Sequence, residues 1–91
     1  MITPRRVVGN SMYPTYKNGQ IIILSPLKKA KVGSVVMAVQ NKREVLKRVV
    51  KITNNHMVEL RGDNAAASTD SRTLGPVTMN AILGVVIWPK K

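Results

Sequence analysis

The chain has 91 residues, no cysteine, one histidine and a formal net charge of +11, from 15 Lys and Arg against 4 Asp and Glu. This excludes disulfides, thiol nucleophiles and histidine-rich zinc sites, and it limits the chain to a single domain, residues 1–91, with a thin core. The basic balance points to anionic partners, yet the cations lie in scattered pairs and only two Tyr and one Trp could stack on bases, so no specific nucleic-acid partner is expected.

In chain order, residues 5–8 read as a short strand that leads into Gly9-Asn10-Ser11-Met12-Tyr13-Pro14-Thr15. Gly9 can take φ > 0, and Pro14 pushes Tyr13 toward extended backbone, so Ser11 sits in a tightly held loop. Such a loop could present a reactive hydroxyl, or Ser11 could be a simple turn residue. After a turn at Lys17-Asn18-Gly19, residues 20–24 form a strand rich in β-branched side chains. Ser25-Pro26 ends it, and residues 27–31 are a basic connector.

Residues 32–39 are a second apolar run. Asn41-Lys42-Arg43 reads as a hairpin turn, and residues 44–52 as the partner strand. Thr53-Asn54-Asn55 turns the chain into a strand over 56–60. Residues 61–76 are a long polar loop, 78–81 a helical turn, and 82–88 the closing strand. Val and Ile dominate, and no segment carries a helical stripe. The expected fold is all-β, a small, coiled or barrel-like antiparallel sheet. The longest nearly apolar run, 81–88, is far below the ~20 residues of a membrane-spanning helix. No signal peptide is evident. The expectation is a cytoplasmic chain, drawn at most to the periphery of an anionic membrane, with no metal or cofactor.

Two features invite a functional reading. In the strand over 44–52, Lys47 shares a face with Val45 and Val49. A lysine so placed is either desolvated or stands on a solvent-facing edge. The loop from Gly62 to Arg72 is long for a small domain, and it is rich in Asp63, Asn64, Ser68, Thr69, Asp70 and Ser71, which bond readily to backbone. Asp70 and Arg72 could form a charge-assisted pair. The other reading is a self-capped surface loop.

A serine nucleophile needs a base to take its proton. His56 stands in a strand pattern without an orienting carboxylate and reads as a surface residue. Lys47 is the other base available. An amine must lose its proton near neutral pH to serve, which takes roughly 4 kcal/mol of destabilisation of the ammonium. A valine-lined strand position can supply this, helped by the neighbouring charges of Arg48 and Lys51.

Four segments, in order, resemble the type I signal peptidase family, serine proteases with a Ser/Lys dyad. Ser11-Met12-Tyr13-Pro14-Thr15 resembles its nucleophile box, and Gly33-Ser34-Val35-Val36 the following strand, where aspartate is usual in place of Ser34. Lys47-Arg48-Val49 resembles the base box. Gly62-Asp63-Asn64 with Ser68, Asp70, Ser71, Arg72, Gly75 and Val77 resembles the last box. The run 64–72 is similar in particular to the soluble maturation proteases of nickel-type superoxide dismutase.

The resemblance implies Ser11 as nucleophile, Lys47 as general base and Ser68 as the hydroxyl that orients the Lys47 amine. It implies that Met12 helps shape the substrate cleft and that Asp70 and Arg72 pair to hold the last box near the dyad. The implied partner is a precursor protein with an N-terminal leader peptide, cut after small residues. A repressor-type autoprotease shares the dyad and the general fold. A non-catalytic basic β domain that binds nucleic acid or an acidic partner would also explain the charge.

Overall fold

The computed structural model describes residues 2–64 and 75–89. Its strands are β1 (Thr3–Arg6), β2 (Ile21–Ser25), β3 (Val35–Gln40), β4 (Arg43–Ile52), β5 (Met57–Arg61), β6 (Val77–Thr78) and β7 (Ile82–Trp88), with a 3₁₀ turn at Met79–Ala81 before the last. They form one seven-stranded antiparallel sheet in the order β1-β2-β7-β3-β4-β5-β6. The all-β expectation holds.

The sheet is covered on both faces, which is why β3 is an almost continuous run of buried residues. Val35 and Met37 face one core cluster, with Val7, Met12, Tyr16, Ile22, Leu24 and Leu46. Val36 and Ala38 face the other, with Ala30, Val49, Val58, Leu60 and Val85. Register shifts in the β2–β7, β3–β7 and β4–β5 pairs let the sheet bend. It curls far enough for Arg5 of β1 to form an ion pair with Glu44 of β4, at 2.6 Å. The first core cluster is therefore the inside of a partial barrel, and the seam between β1 and β4 is its open side.

Two strand boundaries move for local reasons. Gly33 has φ 94° and donates its N–H to Val49 O, while Ser34 N–H donates to Lys31 O. That turn delays β3 to Val35. At the β3–β4 hairpin, Asn41 (φ 53°) and Lys42 (φ 64°) are the only loop residues, and Arg43 already pairs with Gln40. Positive φ at both positions is the two-residue turn whose twist matches a hairpin, and glycine is favoured at its second position. Lys42→Gly is therefore expected to stabilise the fold by about 0.5–1 kcal/mol, by removing left-handed strain from a Cβ-bearing residue. A rise in melting temperature of roughly 2–8 °C would show it.

Candidate active site

Ser11 lies in the loop between β1 and β2. Gly9 takes φ 87°, and its N–H donates to Asn18 Oδ1 at 2.8 Å. Tyr13 N–H donates to Asn10 O at 3.1 Å and Tyr16 N–H to Met12 O at 2.9 Å, so the loop closes on itself in two successive turns. Met12 (1% exposed) and Tyr16 are pinned in the barrel core, and the Tyr16 hydroxyl donates to Pro89 O at 2.9 Å. With the next residue anchored in the core, Ser11 is held half-buried at the seam.

The Ser11 hydroxyl points at the backbone of β4, donating to Leu46 O at 3.4 Å. β4 is longer than its partner on that side. Pairing with β5 begins at Arg48 opposite Arg61, so residues 43–46 have no strand partner on that edge among the described residues. Beyond the end of β5 the chain turns back to the serine loop: Asn64 N–H donates to Ser11 O at 2.8 Å, and the Asn64 side-chain amide to Asn10 O at 3.1 Å. Lys47 is 4% exposed, directly opposite Val36 in the register. Ser11 and Lys47 line the same groove, about 470 Å³, whose walls are Arg5 to Val8 on one side and Arg43 to Leu46 on the other.

Behind the serine loop is a charged clamp that the sequence does not advertise. Arg48 Nε donates to Asp63 Oδ1 at 2.9 Å and Nη2 to Asp63 Oδ2 at 2.8 Å, while Nη1 donates to Gly33 O at 2.8 Å. The Thr15 hydroxyl donates to Asp63 Oδ2, and Asp63 N–H points at Met12 Sδ at 3.4 Å. The Asp63 carboxylate thus ties β4 to Thr15, while the Asp63 N–H reaches Met12 in the same segment. The Arg48 hydrogen bonds hold the Asp63 carboxyl below its ordinary value of 3.8; burial opposes them and the Thr15 hydroxyl assists. The register explains the meeting: Arg61 faces Arg48, and Asp63 lies two residues on. The signals in the sequence were Arg48 beside Lys47 and Asp63 in the last box, but their pairing exists only through the β4–β5 hairpin.

Met12 is a core residue beneath the serine rather than a groove-lining one. His56 is exposed, with φ 61°, in the β4–β5 turn away from this groove. Ser68, Asp70 and Arg72 lie outside the described residues. Among the described residues no cluster of His, Asp or Glu could hold a metal ion, and no helix is long and apolar enough to cross a membrane.

A small curled β sheet, with a loop serine and a buried strand lysine on one groove, defines a class of peptidase-type β domains. The chain belongs to the Peptidase S24-like family, whose match spans residues 5–87. No curated protein matches it. The family shown is thus the S24-like one, and the signal-peptidase and superoxide dismutase maturation branches are finer assignments than this match carries.

Proposed function

We propose that this chain is a serine endopeptidase in which Ser11 is the nucleophile and Lys47 the general base, and that it removes a leader or signal peptide from a precursor by cutting after small residues. The observation that carries this reading is the shared groove: a buried lysine and a loop-held serine open onto one cleft. The cleft runs along residues 43–46 of β4, whose far edge has no strand partner among the described residues and to which an extended substrate can add its own backbone hydrogen bonds.

In the acylation step, Ser11 Oγ attacks the scissile carbonyl carbon as its proton passes to the neutral Lys47 amine. The Ser11 N–H stabilises the oxyanion of the tetrahedral intermediate. The intermediate collapses as the Lys47 ammonium protonates the leaving amine, which leaves an ester on Ser11. Water then attacks the ester, its proton again taken by Lys47, and the serine is restored. Ser68 is the hydroxyl that would orient the amine.

The test is peptide cleavage read by mass spectrometry, using leader-type peptides with small residues at the first and third positions before the cut. Cleavage by the native chain and none by Ser11→Ala or Lys47→Ala, with folding intact in both, is the expected result. Cleavage that persists in Ser11→Ala would sink the dyad. Absence of cleavage by every form, with salt-sensitive binding to nucleic acid or acidic protein instead, would favour the non-catalytic basic domain.

A further inference from the structure

A second concavity is larger than the Ser11 groove. It is a groove of about 770 Å³ at the other end of β4, and the two share no lining residue. Lys47 and Ile52, which line one each, are five residues apart on the strand, or roughly 17 Å at ~3.3 Å per residue. The new groove has an aliphatic floor of Ala30, Ile52, Met79 and Ile82, all packed on the second core cluster. Its rim is the connector after β2, where Leu27 is 83% exposed beside Lys28 and Lys29.

Three observations say what fits there. First, the charge is unbalanced. Lys28 and Lys29 form no ion pair among the described residues, and no carboxylate lines the groove. Glu44 and Asp63 are taken by Arg5 and Arg48, and Glu59 lies opposite Lys51 on β5. Second, a backbone edge is open. β2 meets β7 only from Val85 onward, so Ile82 and Leu83 have no strand partner on that side among the described residues. Third, neither Tyr nor Trp lines the groove and its one aromatic ring is the His56 imidazole, so it offers no row of rings on which successive nucleic-acid bases stack.

We propose that this groove docks an extended acidic peptide segment of a partner protein. Apolar side chains of the segment sit over Ile52, Met79 and Ile82, its backbone adds to the start of β7, and its carboxylates face Lys28 and Lys29. The site does not depend on Ser11 or on peptidase activity. A partner held there is tethered about 17 Å from Lys47 along β4.

The test uses the full chain carrying Ser11→Ala, so that no probe is cut. A fluorescein-labelled peptide of alternating Glu and Leu is titrated at ~0.15 M salt and read by anisotropy. Three comparisons accompany it: the same peptide with Gln for Glu, a Lys28→Glu/Lys29→Glu variant, and a charge-matched Lys17→Glu/Lys51→Glu variant. The expected result is binding weakened tenfold or more by the Gln peptide and by Lys28→Glu/Lys29→Glu, with little change in the charge-matched variant. Amide shifts in NMR should then map to residues 27–30, 52–54 and 79–84. Equal weakening in the two lysine variants would overturn the site, because it would reduce the binding to net charge. So would shifts confined to the Ser11 groove, displacement of the peptide by an oligo-dT strand at similar concentration, or no binding to the Ser11→Ala chain.

Discussion

Lys47→Met is expected to lower kcat by about 10²- to 10⁴-fold, the usual contribution of a positioned general base, while the domain stays folded. Methionine keeps the length and apolar stem of lysine, so the buried volume opposite Val36 stays filled. It cannot accept a proton. The Ser11 hydroxyl would keep its place at the Leu46 carbonyl but lose the group that makes it nucleophilic. The measurement is kcat for a cleavable leader peptide together with thermal unfolding of the variant. A melting temperature equal to or above that of the parent, with activity gone, separates chemistry from folding. Retention of most of the activity would remove Lys47 from the mechanism and leave Ser11 in need of another base.

Asp63→Asn is expected to cost about 2 kcal/mol of stability, and to reduce activity although Asp63 does not line the Ser11 groove. The carboxylate receives two hydrogen bonds from Arg48 and one from Thr15. Asparagine keeps one acceptor, removes the charge opposite the guanidinium and sets an amide donor against it. For a domain of this size the loss corresponds to a fall of roughly 8–16 °C in melting temperature. The pH dependence follows from linkage. The folded-state pKa of Asp63 is depressed by Arg48, so its contribution is fully present above the ordinary carboxylate value of 3.8 and fades as pH falls through the folded-state value. Native protein should lose stability below about pH 4 more steeply than Asp63→Asn. Superimposable acid-unfolding curves would show that the clamp contributes nothing. Because the clamp acts through the Ser11–Thr15 segment, kcat should fall more than KM rises. A change in KM alone would assign Asp63 to substrate binding instead.

The sequence was sufficient for the β character and most strand positions, because β-branched runs alternate with turn residues whose backbone needs are local. Ile21–Ser25, Arg43–Ile52 and Ile82–Trp88 all lie within a residue of where the pattern puts them. β6 was not legible, since two residues, Val77 and Thr78, carry no period. β1 came two residues early, at Thr3–Arg6, because its bounds are set by pairing with Ile21 to Leu24 of β2, a register that local sequence does not carry. The candidate dyad residues were legible as residue types in a motif, but their environment was not. Alternation along β4 could say only that Lys47 shares a face with its valines. Whether that face meets water depends on Val36 and the second core cluster packed against the sheet. Likewise, nothing in the chain order says that the serine loop lies against the first half of β4, or that Arg48 and Asp63 close behind it. Those contacts come from the curl of the sheet and the register of β4 on β5, which join residues 15 to 51 positions apart. Local propensity decides which segments become strands. Only long-range packing decides which of their edges are paired, and both grooves lie along edges that have no strand partner among the described residues.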